Sequence, residues 1–353
     1  MNDAAPKIDD VPRTNENSNH HRKFVSIRKR LMMWFLLLSL LPLCFVSWFN
    51  YDQTKTSLSE LAAENLQQSA ALSISYISSW IENRYLDVSN QAELHENIAL
   101  LKSLQEGFDQ SGKQLSDYTR SIDWQRRIDS IPNGLLAFNR RYSYVYDALL
   151  IDNRGNILYS VTRESDWGTN VYNGVFSQTA FAKAVKTTLD TGQTQFSGME
   201  RYFPSSQAIA GFITAPLLDE FGDKVGVFAM QLHFDKLFSI FEATEASTLH
   251  HYIVGADGYL RTPLRNNNWR EVLARDVNTT QLDLYTQQGL DGGDRLSSVT
   301  QYRGPEGEDV LGQYQDIKIG DINWILVSEV NAAEAYYSAN FSRKIAIILM
   351  IVT

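Results

Sequence analysis

From Leu31 to Phe49 the chain reads LMMWFLLLSLLPLCFVSWF, without a single charged side chain. A run of that length, wound as a helix, reaches across about 30 Å of hydrocarbon. Lipid offers no partners to backbone N–H and C=O groups, so a helix is the form open to such a segment. Pro42 would kink the helix but is tolerated in a bilayer. Arg22, Lys23, Arg28, Lys29 and Arg30 precede the run, whereas Asn50, Tyr51 and Asp52 follow it, with Lys55 only later. This asymmetry places the N-terminus in the cytoplasm. Trp34 and Trp48 suit the two interfaces. The late start and the missing small-x-small site argue against a cleaved signal peptide. Residues 1–30 then read as a disordered cytoplasmic tail and 31–49 as a transmembrane helix.

The same pattern returns at the other end, where Arg343 and Lys344 lead into IAIILMIVT. The segment is too short to span and reads as the truncated start of a second transmembrane helix. The expectation is the N-terminal part of a longer protein, with residues of about 50–342 outside the cytoplasmic membrane, on its periplasmic side, and the effector beyond Thr353.

The 353 residues are 44% hydrophobic and carry a net charge of −9. That is enough chain for two domains with their own cores. The negative balance argues against nucleic acid as a partner. Cys44 is the one cysteine, so no intrachain disulfide can form.

Ala62, Leu66, Ala70, Ile74, Ile77, Ile81, Tyr85 and Val88 recur every three or four residues. This is one apolar stripe on a long helix. The stretch 50–108 therefore reads as a stalk helix, with a homodimer contact on the part nearest the membrane. After it the period changes to that of strands. YDALLIDNRGNILYSV (146–161) is a hairpin with a polar, glycine-containing turn. FAKAVKTTLDTGQ (181–193) has helical spacing. TQFSGMERYFP, AIAGFITAPLL and KVGVFAMQLHF are three more strand-like pieces, the last two joined by DEFGDK. Together they predict about five antiparallel strands with helices on one face. A shorter version follows, from HYIVGADGYLRTPL (251–264) to VLGQYQDIKIGDINWILVSEV (310–330), with FDKLFSIFEATEA (234–246) as a helical connector. Two similar modules in series are implied, at 109–237 and 238–330, with an exit helix from 331.

Catalytic motifs are absent. There is no HExxH, GxSxG, GxxxxGK[ST] or GxGxxG, and no His spacing that suggests a metal site. No cofactor is expected. Gly292-Gly293-Asp294 lacks the Glu-Phe of a diguanylate cyclase box and reads as a loop. Leu260-Arg261-Thr262-Pro263-Leu264 has the string of a histidine-kinase phospho-acceptor box. Gly258 and Tyr259 stand where that box needs its histidine and glutamate, so this too is a strand leaving a turn.

In order, DWGTNVYNG, the long piece FSGMERYFPSSQAIAGFITAPLLDEFGDKVGVFAMQLHFDKL, HYIVGADGYLRTPLR and VLGQYQDIKIGDINWILVSEVNAAEAY resemble the double Cache extracellular sensor domain of bacterial transmembrane receptors. The resemblance covers roughly residues 55–340. It implies an α/β (α+β) fold: a long N-terminal stalk helix and two tandem PAS-like modules, the membrane-distal one holding the ligand. It also implies a dimer with a histidine kinase, chemoreceptor or cyclic-di-nucleotide enzyme as output, of which the kinase is the expectation here.

A small polar solute needs a mostly apolar cup with a few fixed polar groups. The first module offers Tyr146, Tyr159, Arg163, Trp167, Tyr172, Arg201, Tyr202 and Gln231. Arg201 or Arg163 can hold a carboxylate in a bidentate fork, and Trp167, Tyr172 and Tyr202 can wall the cup. Amino-acid-sensing members of the family use an Arg-x-Trp-Tyr piece and a late acidic residue for the amine. This chain has SDWGTNVY and Gln231 instead, which leaves the ligand open. A solute-free alternative is an adaptor that binds a periplasmic protein, marked by a large exposed apolar patch.

Overall fold

The computed structural model describes residues 27–132, 134–238, 241, 248–287 and 296–352. The polar tail 1–26, Gly292-Gly293-Asp294, and positions 239, 240 and 242–247 of the expected connector lie outside the described residues. The chain divides into two compact units. One holds the residues up to Thr54 together with those from Asn340, and the other is Lys55–Ala339.

Helix α1 (Ile27–Glu93) contains the apolar run, and its side chains there are exposed, with Trp34 and Phe35 more than two-thirds accessible. Among the described residues it is the one helix long and apolar enough to cross a membrane. Its later turns bury Leu66, Ala70, Ile77, Ile81, Val88 and Ala92, spaced at four or seven as the stripe requires. The stalk was expected to continue to residue 108, but it breaks at Leu94, which is extended (φ −65°, ψ 119°). Asn97 supplies a cause: its buried amide donates to the carbonyl of Gln91 at 2.7 Å, replacing a backbone partner. Helix α2 (His95–Ser111) resumes and stops at Gly112, whose φ of +61° suits a residue without Cβ. Three short helices follow: α3 (Leu115–Thr119), α4 (Ile122–Ser130) and α5 (Leu135–Arg141). Ser121 caps α4 by accepting from the Trp124 N–H.

The first sheet then forms. Strands β1 (Val145–Asp152) and β2 (Ile157–Ser160) are the expected hairpin, closed by Asp152, which accepts from Arg154 N and Asn156 N. Helix α6 (Ala180–Thr191) follows, with Thr179 as its cap. Strands β3 (Gln195–Phe196), β4 (Glu200–Tyr202), β5 (Ala208–Ala210), β6 (Phe212–Leu218) and β7 (Lys224–Leu232) come next, ahead of helix α7 (Phe234–Phe238). The antiparallel order is β2-β1-β7-β6-β3, with β4 and β5 as a separate pair. Side chains alternate across the sheet. Ala148, Leu150, Phe228 and Met230 join Leu100, Leu104, Trp124 and Phe138 of the preceding helices. Leu149, Ile151, Val227 and Ala229 pack with Phe181, Val185, Tyr202 and Phe212. Each such large side chain contributes about 1.5–3 kcal/mol on leaving water.

The second sheet is β8-β11-β10-β9, from β8 (His250–Gly255), β9 (Thr300–Arg303), β10 (Asp309–Ile319) and β11 (Ile322–Asn331), with α8 (Thr280–Gln287) over one face. Tyr252, Val254, Tyr314 and Val327 pack there with Leu260, Leu264 and Tyr285. The opposite face, with Ile253, Trp324 and Leu326, belongs to the same cluster as Ile77 and Ile81 of α1. The expected hairpin at 251–264 has only one full strand. Its second arm is reduced to isolated bridges, Val254 with Leu260 and Tyr259 with Asp276. Backbone bonds from Arg261 N to the Ile253 carbonyl and from Gly255 N to the Tyr259 carbonyl remain, and side chains add to them: Thr262 accepts from Ile253 N at 2.8 Å, and Arg261 donates to Asp257 and to the Tyr259 carbonyl. LRTPL is thus core, with Leu260 and Thr262 fully buried. Helices α9 (Ala332–Ala335) and α10 (Tyr337–Val352) end the described chain.

Candidate ligand site

The polar end of the first module is set by strand register. Asp147 of β1 lies opposite Gln231 of β7, and Gln231 opposite Phe212 of β6. All three are buried. Asp147 accepts from Ser160 Oγ (2.7 Å), Thr162 Oγ1 (2.7 Å) and the backbone N–H groups of Ala148, Val161 and Thr162. Burial pushes its carboxyl up against those bonds. With five donors it is saturated, and its role is to tie β2 to β1. Glu164 is also used on both oxygens, by the Tyr146 hydroxyl and the Ser205 hydroxyl, each at 2.5 Å. Gln231 donates to Ser205 Oγ at 3.0 Å and completes that chain.

Asp166 differs. Its Oδ2 accepts from the Tyr202 hydroxyl at 2.8 Å, whereas its Oδ1 is buried with no partner. Burial, with the charges of Asp147 and Glu164, moves this carboxyl up to about 6. Among the described residues none of the three acids is in an ion pair. The next residue, Trp167, also has a buried ring N–H without an acceptor. Its indole meets Trp124 edge-on at 5.0 Å, and the Arg163 guanidinium lies over both rings at 5.0 and 5.5 Å. Arg163 holds a left-handed backbone, φ +56°, which costs a non-glycine residue about 1–3 kcal/mol. An unsatisfied carboxylate oxygen, an unsatisfied N–H and an exposed guanidinium therefore converge on one segment, 163–167.

No family model and no curated protein matches the chain. Solved structures do. The ligand-binding domain of the Pseudomonas fluorescens chemoreceptor CtaA in complex with L-leucine is similar over 80% of this chain and 99% of its own, with 15% identity and a TM-score of 0.50. The ligand-binding domain of the Pseudomonas aeruginosa PAO1 amino acid chemoreceptor PctB in complex with L-Arg covers 78% and 98%, with 14% identity and a TM-score of 0.48. This is the double Cache fold. As in the sequence expectation, this chain has a long N-terminal helix and antiparallel sheets.

Within the double Cache fold, the eight residues singled out from the sequence separate. Tyr146, Arg163, Trp167, Tyr202 and Gln231 surround the carboxylate cluster. Tyr159 stacks at 6.3 Å on Trp124, the ring that also packs against Trp167 and Arg163, and lies within electrostatic reach of Arg163 and Asp147. Tyr172 sits at the far end of the hairpin, its ring where a Cβ on Gly155 would be. Arg201 turns away altogether. Its Nη2 donates to the carbonyls of Arg270 (2.9 Å) and Val272 (2.7 Å) in the second module. Along β4 neighbouring side chains point to opposite sides, so Tyr202 faces the cluster and Arg201 cannot. The sequence reading missed Asp147, Glu164, Asp166 and Ser205. Asp166 carried one signal, its place directly before Trp167.

Proposed function

We propose that this chain is the ligand-sensing region of a membrane-anchored receptor, and that its first module binds a small solute carrying an ammonium group. The observation that carries the reading is the buried, unpartnered Oδ1 of Asp166 among acids that have no cation. A buried carboxylate without an ion pair is costly, and a bound ammonium removes that cost. Trp167 N–H and Arg163 supply donors for a carboxylate on the same solute. The class is that of free amino acids, to which the L-leucine of the CtaA complex belongs. The apolar helix α1 is the anchor, with Lys55–Ala339 outside the cytoplasm. A solute that prefers one of two arrangements of this region would shift their populations and so signal. The sequence favoured a histidine kinase output; a chemoreceptor output fits the fold equally well.

Titration calorimetry on the detergent-solubilised chain tests the reading, with free L-amino acids set against their deaminated counterparts. Heat of binding is expected from the amine-bearing member of a pair alone, and the first module's share of it is lost in Asp166→Asn. A deaminated acid that binds as tightly as its amino acid would refute the ammonium assignment.

A further inference from the structure

Strands β8 and β11 repeat, in the second module, what β1 and β7 do in the first. His250 lies opposite Glu329, as Asp147 lies opposite Gln231. The third strand contributes Gly312, facing Glu329 from β10, where the first module has Phe212. The glycine has a reason. A Cβ there would lie 2.4 Å from Tyr302 Oη and 3.0 Å from Glu329 Cγ. The space is used by Tyr302, which with Tyr252 donates to Glu329 Oε1, at 2.5 and 2.7 Å. Burial raises that carboxyl to about 7.

His250 is 6% exposed, and neither of its ring nitrogens has a hydrogen-bond partner. A neutral imidazole brings one donor and one acceptor, so two buried bonds are left unmade. Its ring stacks on Tyr252 at 5.8 Å, and it lines a crevice of about 260 Å³ with Arg265, Glu306, Glu308 and Glu329. Arg265 forms no ion pair with either glutamate among the described residues. They are nevertheless within electrostatic reach: burial and Glu308 push the Glu306 carboxyl up, and Arg265 draws it down. The crevice thus has charges of both signs at its walls, held apart, and unsatisfied neutral groups inside.

We propose that this crevice is a second ligand site, for a small solute bearing an ammonium and a carboxylate group. Glu306 and Glu308 receive the ammonium, Arg265 the carboxylate, and His250 a further polar atom of the solute. The site shares with the first module the reading of the chain as a solute sensor, but uses none of its residues. An acidic crevice that merely held solvent would not need His250 buried to this degree with both nitrogens turned from the protein's own partners.

The test uses the full chain in detergent, with each common L-amino acid in turn at millimolar concentration, and thermal unfolding as the readout. Wild type, Arg265→Ala and Asp166→Asn are compared. Arg265 is exposed, so its removal leaves the core intact, and circular dichroism verifies the fold of each variant. At least one amino acid is expected to stabilise wild type and Asp166→Asn but to bind Arg265→Ala about tenfold or more weakly, the loss of a charged hydrogen bond. His250→Gln is expected to weaken the same amino acid. If every amino acid that stabilises wild type also stabilises Arg265→Ala undiminished and fails on Asp166→Asn, the second site is overturned and the first stands. If none stabilises wild type, both fall.

Discussion

Replacing Asp166 by Asn should make the ligand-free protein more stable while abolishing binding in the first module. The carboxyl is 2% exposed and moves from 3.8 to about 6, burial being the largest cause and the charges of Asp147 and Glu164 adding to it. At pH 8 it is ionised and stays so at a cost. About two pKa steps at 1.36 kcal/mol each give roughly 3 kcal/mol. Asn keeps an acceptor for the Tyr202 hydroxyl and has no charge to desolvate, so Asp166→Asn should gain about 1–3 kcal/mol at pH 8. The folded carboxyl lies above its unfolded value. The wild-type protein therefore regains that stability as pH falls through about 6, and the advantage of the variant disappears near pH 4. His250 and His251, held by burial at about 3 and about 4, impose the opposite slope, because only the unfolded chain protonates them at mild acidity. Both proteins share that slope, and it cancels in the difference. Urea unfolding followed by tryptophan fluorescence at pH 8 and pH 5 measures it, with Trp124 and Trp167 beside the site. A variant less stable than wild type at pH 8, or a gain that does not depend on pH, would refute the reasoning.

Gly312→Ala should destabilise the second module by about 1–3 kcal/mol, because the added methyl meets the Tyr302 hydroxyl and the Glu329 side chain; denaturant unfolding checks it, and an unchanged midpoint contradicts the packing described. Arg201→Ala should leave amino-acid affinity within about twofold, yet cost about 1 kcal/mol of stability by removing its bond to the part-buried Val272 carbonyl. Calorimetry and unfolding on the same sample separate the two effects. Ser69→Ala should cost about 1 kcal/mol, the loss of its 2.7 Å bond to His251 Nε2, read as a lower unfolding midpoint.

Much of this architecture is legible in the chain. Apolar alternation and the DEFGDK turn mark β6 and β7, and the period of the α1 stripe marks its buried face. Trp167, Tyr202 and Gln231 were singled out because large amphipathic side chains beside strand patterns are where a cup needs walls. The acids were not, since Asp147, Glu164 and Asp166 each look in sequence like a surface or turn carboxylate. What buries them is the sheet register and the fold of segment 160–167, which no local pattern encodes. Arg201 shows the converse: a residue chosen for its chemistry was sent to the other side by the two-residue period of its strand. The break at Leu94 depends on Asn97 reaching a carbonyl six residues back, a contact visible only once the helix is built.

His250 and His251 are consecutive on β8, so their rings lie on opposite faces of the sheet. One faces the crevice. The other spans from Ser328 Oγ on β11 at 2.8 Å to Ser69 Oγ on α1 at 2.7 Å. A single peptide bond is all that separates a ring with nothing to hold from a ring that grips the helix containing the apolar run. If a solute on the first ring turned this strand, the second ring would carry that turn to Ser69. The backbone of β8 is in this sense a rocker, with an unengaged arm on one side and the long helix on the other.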